Sequence, residues 1–146
     1  MYTHILSAVD LSNESLDVMV KSKQLAESLG AKLTVLNVVE PIFPVHTYEG
    51  ELAEQLMIST EQLNDNAQKM LTSLADKAGI DHGVLVFDGG AAVDTVLDVA
   101  KEKGCDLICV GSHGKSGLKL LLGSVTNGIL HHTGIDVLAI RVKEAD

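Results

Sequence analysis

The chain has 146 residues, 46% of them hydrophobic and 21% charged, and 20 acidic against 11 basic side chains give it a formal charge of −9. That is the size of one ordinary domain with enough apolar material for a core, and its acidity argues against nucleic-acid backbones and anionic lipid as partners. No apolar run approaches the ~20 residues that span a bilayer and the first apolar segment already reads as a strand, so the expectation is one cytoplasmic domain over residues 1–146, with no membrane partner.

In chain order, "HILSAV" (His4 to Val9) reads as a strand. A helix pattern runs from about Asn13 to Leu29, with Leu16, Val20, Leu25 and Leu29 at helical spacing, Ser12 placed to cap it and Glu14 suited to its positive end. "KLTVLNVV" (Lys32 to Val39) is a second strand, and "EPIFPVHTYEG" (Glu40 to Gly50) is a loop holding both prolines. A long helix is expected over Glu51 to Ala78, with Leu52, Leu56, Leu63, Ala67, Met70, Leu71 and Leu74 as its apolar stripe. "HGVLVFD" (His82 to Asp88) is a third strand. Ala91 to Lys103 is a helix with Val93, Val96, Leu97 and Ala100 facing inward, and "DLICVG" (Asp106 to Gly111) is a fourth strand. A short helix over about Ser124 to His132 and a last strand, "DVLAIRV", complete the chain.

Gly30, Gly79, Gly104 and Gly134 each stand where a helix should stop, and an apolar strand follows each within a few residues. Glycine accepts the left-handed conformation of a helix C-terminus, so this punctuation has a mechanism. Alternating strands and helices without hairpin signals mean an α/β protein with a mostly parallel sheet, covered on both faces. The last strand, if it lies at an edge, invites pairing with a second copy.

The stretch "VGSHGKSGLKLLLGS" (Val110 to Ser124) has the character of a phosphate site. Gly114, Lys115 and Ser116 supply the Gly-Lys-Ser end of a Walker loop, but Cys109 stands where such a loop needs its first glycine. The spacing of Gly111, Gly114 and Gly117 also misses the dinucleotide fingerprint. The physical case does not depend on either pattern. Glycines after a strand let backbone N–H groups approach a ligand, and Gly123-Ser124 opens a helix whose first N–H groups favour an anion. Residues 107–135 contain no Asp or Glu, where an even spread would put about four, while Lys115 and Lys119 lie inside. A buried loop and helix that simply avoid charge would look the same.

Asp10 ends the first strand. At a switch point beside the fourth strand it would meet Gly111 and could hold a metal, a ribose hydroxyl or a base amine; capping the helix near Ser12 is the plainer role. His113 sits in the glycine loop and could bond a ligand. His131 and His132 are adjacent on a helix and point about 100° apart, against a joint metal site. Cys105 and Cys109 fit no zinc or redox spacing and read as buried, reduced, structural thiols. No nucleophile or general base stands out.

From "HILSAVDLS" through "KLTVLNVVEP" to "DLICVGSHGKSGLKLLLGSVTNGILHHTGIDVLAIRV", the chain resembles the universal stress protein family, the last segment most specifically. The resemblance implies an open, doubly wound, Rossmann-like sheet of five parallel strands in the order 3-2-1-4-5 with about four helices. It also implies a homodimer formed through the last strand. Some members bind ATP, and these carry Gly-x-x-Gly, nine residues, then Gly-Ser/Thr. Gly111 and Gly114 match the first pair here, and Gly123 and Ser124 the second, with His113 and Lys115 in the loop. Asp10 and the backbone around Val38 would face the adenosine. The spacer from Lys115 to Leu122 is eight residues, one short. The function this implies is an ATP-binding regulator of the stress response, with or without Mg²⁺ and with at most slow ATP hydrolysis. The alternative is an interaction protein of the same fold that binds no ATP.

Overall fold

The computed structural model describes residues 1–40, 49–112 and 124–141. The five strands are β1 (His4–Val9), β2 (Lys32–Val39), β3 (Leu85–Gly89), β4 (Leu107–Gly111) and β5 (Asp136–Ile140). They form one sheet in the order β3-β2-β1-β4-β5, and every neighbouring pair is parallel. Among the described residues the α-helices are α1 (Ser15–Leu29), α2 (Glu51–Ala78), α3 (Ala92–Glu102) and α4 (Ser124–His132). The α/β class and the strand order are as expected.

Side chains alternate across the sheet with the period of two that a strand dictates. Ile5 and Val9 of β1, with Leu107 and Cys109 of β4, pack under α1 and α2 against Val18, Met19, Leu71 and Ala75. Leu6 of β1 and Ile108 and Val110 of β4 pack on the other face, under α3 and α4, against Val96, Val99, Ala100 and Ile129. Parallel strands need crossovers of one hand, so reversing the strand order after β3 moves the helices to the opposite face. Cys105 belongs to the second cluster and Cys109 to the first. Both are free and buried, and burial pushes both thiols up to about 11, so they are the inert structural thiols expected.

Several local expectations are corrected. Helix α1 begins at Ser15 with Glu14 at its N-cap and no side-chain cap, so Ser12 does not cap it; the Ser12 carbonyl instead accepts the Ser15 N–H at 3.1 Å. Its buried residues are Ser15, Val18, Met19, Ser22 and Ala26, and Leu29 is exposed. The helix seats on two serines because Ser22 Oγ bonds the Val18 carbonyl (2.7 Å) and meets Ser7 Oγ of β1 (3.0 Å), satisfying both hydroxyls away from water. In α2 only Ala67, Leu71 and Ala75 are buried, while Leu52, Leu63 and Met70 of the expected stripe are exposed. For Leu52 the cause is length; Leu63 and Met70 lie further along the helix and border an open cavity. Twenty-eight residues make a helix of about 42 Å, whereas the eight of β2 span about 26 Å, so the first turns of α2 overhang the sheet.

The third strand starts late. His82–Val84 form a 3₁₀ turn, nucleated by Asp81 Oδ1 accepting the Gly83 N–H at 2.7 Å, and β3 follows from Leu85. Gly30 (φ 63°) and Gly79 (φ 69°) end their helices in the left-handed region as expected. Gly134 does not adopt that conformation. There Thr133 closes α4 by donating its N–H to the Ile129 carbonyl at 2.9 Å, and its Oγ1 accepts the Ile135 N–H.

Candidate functional site

The sheet order reverses between β1 and β4, and a cavity of about 540 Å³ opens at the carboxyl ends of the strands there. Its size falls within the range of small-molecule sites. Val9 is the register partner of Asn37, and Ser7 that of Cys109, the last pair of β1 with β4; Val9, Val38 and Gly111 all line the cavity beyond. The ends of β2, β1 and β4 thus form one floor.

Of the residues singled out from sequence, Asp10, Val38 and Gly111 all line this cavity. Asp10 Oδ1 accepts the Ser12 N–H at 3.0 Å and the Ser15 hydroxyl at 3.2 Å. So Asp10 does not cap α1, which has no side-chain cap; it holds the turn before that helix, and it also lines the cavity. Leu11, directly after it, has φ 62°, a left-handed conformation uncommon for a bulky side chain, and the Asp10 turn holds it there. Ser124 is the first residue of α4. His113, Gly114, Lys115 and Gly123 lie outside the described residues.

Four contributors were missed from sequence. Ser15 steadies Asp10 from the first turn of α1. Thr126 Oγ1 donates to the Gly111 carbonyl at 2.9 Å, tying α4 to the end of β4. Glu40 Oε1 accepts the Ala92 N–H at 2.9 Å, which puts a carboxylate at the positive end of α3, where Ala91 offers no side-chain cap. Asn37 is 3% exposed, and its Nδ2 donates to the Val9 carbonyl at 2.9 Å. An asparagine inside the apolar run "KLTVLNVV" was the one visible signal among them.

The electrostatics are uneven. Asp10, Glu14 and Glu40 line the cavity, and no Lys or Arg does so among the described residues. The α4 side differs, with no acid in the first turn of that helix. Among the described residues no group of three or more His, Cys, Asp or Glu could hold a metal, and no helix is long and apolar enough to cross a membrane.

An open, doubly wound α/β sheet with its cleft at the switch point defines a class whose ligands sit outside the strand ends. Within that class the chain belongs to the universal stress protein family, whose model matches residues 1–141. It is 38% identical over 144 residues to universal stress protein A homolog 1 of Coxiella burnetii, covering 98% of this chain and 99% of that one. Homolog 2 of the same organism is 34% identical over 143 residues, with 97% of each chain covered. Among solved structures, protein MJ0577 superposes with a TM-score of 0.80 at 24% identity over 99% of both chains. A universal stress protein in complex with cAMP superposes with a TM-score of 0.67 at 24% identity, over 96% of this chain and 97% of the other.

Proposed function

We propose that this chain is an adenine-nucleotide-binding regulator of the stress response, with ATP as its ligand, acting as a homodimer in the cytoplasm. The observation that carries the reading is the gathering of Asp10, Val38 and Gly111 around one cavity, on three adjacent strand ends. Neighbouring strands lie just under 5 Å apart, so β2 to β4 spans about 10 Å, comparable to the reach from a base to its first phosphate. The three carboxylates favour the uncharged nucleoside on the β2–β1 side. The phosphates then lie towards Gly111 and α4, where the acid-free segment and the helix start suit an anion. That a universal stress protein of similar fold has been solved with cAMP supports an adenine nucleotide as the ligand class. The free thiols accord with a reducing compartment.

On this reading Gly114, Lys115 and Gly123 serve the phosphates, His113 bonds the ligand, and Ser124 caps α4 or meets a phosphate oxygen. The test is direct. Purified protein is denatured and its supernatant assayed for released nucleotide, and ATP is then titrated by calorimetry with and without Mg²⁺. Binding at sub-millimolar ATP that Gly114→Val abolishes, with the fold intact by circular dichroism, is the expected result. No released nucleotide and no binding heat would establish the family member that binds no ATP.

A further inference from the structure

We propose that the outward face of α2 around Met57 and Ile58 is a docking surface for a basic amphipathic helix of a partner protein. The inference stands apart from the nucleotide reading, because this face of α2 is turned away from the cavity.

Met57 and Ile58 are 54% and 55% exposed in the first half of α2, whose buried residues begin only at Ala67. Both stand about 120–140° around the helix from Leu63 and Met70, which border the cavity. Carboxylates surround them. Glu54 and Glu61 lie three or four residues before and after each one, at the spacing of helical neighbours. Glu51 and Asp65 lie seven residues either side of Ile58, on the same face. From Glu49 to Gln68 there are five acids and no Lys or Arg. Among the described residues the ion pairs are Lys23 with Glu27 and His82 with Asp76, so none of these five acids is paired.

The fold itself gains little from this face. Glu51 and Glu54, in the first turn, suit the positive end of the helix. That influence fades within a turn, and Glu61 and Asp65 lie beyond it. Those two stand four apart, where like charges destabilise a helix, and an exposed isoleucine is a weaker helix former than glutamate or lysine. A partner that buries Met57 and Ile58 and brings cations to the surrounding carboxylates offsets both costs. The charge selects that partner. A second copy of this face would set carboxylates against carboxylates, and an anionic lipid surface is repelled in the same way. A helix with an apolar stripe flanked by Lys or Arg is complementary on both counts: its stripe meets the two apolar side chains and its cations meet the acids.

The probe is a fluorescent helical peptide with leucines at helical spacing and lysines beside them, compared by anisotropy with a scrambled peptide of the same composition. Wild type should bind the amphipathic peptide more tightly than the scrambled one. Ile58→Ser should weaken that binding by about ten-fold, the worth of one buried aliphatic side chain. Glu61→Lys with Asp65→Lys should weaken it too, by a margin that closes as salt rises. Asp98→Lys with Glu102→Lys changes the net charge equally, on exposed acids of α3, and should leave binding unchanged. All five positions are exposed, and circular dichroism checks that each variant is folded. No preference for the amphipathic peptide, or equal losses from the α2 and α3 charge variants, overturns the proposal and reduces the attraction to the overall charge of −9. Ile58→Ser binding as tightly as wild type overturns it as well. Self-association, or binding to phosphatidylserine vesicles, that Ile58→Ser removes while the peptide stays unbound gives the face to a second copy or a membrane instead.

Discussion

The Ser15 hydroxyl lies 3.2 Å from Asp10 Oδ1, the same oxygen that accepts the Ser12 N–H at 3.0 Å. Both bonds fall on one carboxylate oxygen, so the side chain is fixed by α1 while Oδ2 takes no part in the turn. Removing the hydroxyl leaves Asp10 with the backbone bond alone. Ser15→Ala is therefore expected to weaken ATP binding by several-fold, about 1 kcal/mol, the worth of a hydrogen bond. Calorimetry reads this directly. Unchanged affinity with a folded protein would mean that Asp10 does not need Ser15 and that the carboxylate serves the turn alone.

At the opposite end of the sheet, Asp106 ties β4 to β1. Its carboxylate accepts the Thr3 N–H at 2.9 and 3.0 Å, the Thr3 hydroxyl at 3.0 Å and the His4 N–H at 3.0 Å. The His4 and Thr3 amides hold its carboxyl below the ordinary carboxylate range. A group whose folded value is depressed stabilises the fold above its unfolded value, about 3.9 for aspartate, and that stabilisation is lost as pH falls through the lower folded value. Asp106→Asn should therefore be less stable than wild type at pH 7, and the gap should narrow as pH falls below about 4. Urea titrations at several pH values test this; a gap independent of pH would remove Asp106 from the acid response.

Why some of this was legible in sequence, and some not, follows from the range of each interaction. Apolar runs and stop glycines act within a few residues, so the strands and the ends of α1 and α2 could be read in order. Which side of α1 faces the sheet could not, because Ser15 and Ser22 are buried by pairing with Asp10 and Ser7 while Leu29 is exposed. Hydrophobicity alone ranks those residues the other way. Glu40 and Ala92 meet across 52 positions, a closure that exists only once β2 and β3 are paired. Asp10 and Gly111 were predicted to meet because parallel-sheet topology is regular enough to place strand ends. The partner of Asn37 Nδ2 depends on the β1–β2 register, which no local pattern specifies.

Gly128 sets the approach of α4 to α3. A Cβ there would come 2.6 Å from Val93 Cγ2, closer than packed atoms tolerate, and a valine has no flexible end that could move aside. Gly128→Ala gains about 1 kcal/mol in helix propensity but incurs overpacking of about 1–3 kcal/mol. The expected net result is a lower melting temperature. Because α4 carries Thr126 against the Gly111 carbonyl, ATP binding should weaken with it. The double variant with Val93→Ala should recover much of the loss, since it vacates the space the new methyl needs. A Gly128→Ala protein as stable as wild type would show that the two helices can separate freely.

Strand β5 pairs with β4 on one side and ends the sheet on the other. Leu138 on this edge is 40% exposed, and Leu130 on α4 is 44% exposed. An edge strand with unpaired backbone and exposed leucine is a template for a second copy, and pairing by a two-fold axis closes the assembly at two. A lysine in the middle of such an edge blocks it by charge repulsion and desolvation. Wild type is expected to sediment as a dimer and Leu138→Lys as a monomer at the same concentration. The cavity is lined within one chain, so the monomeric variant should retain its affinity for ATP. A dimer that survives Leu138→Lys places the interface elsewhere; a monomer that no longer binds ATP shows that the second copy completes the site.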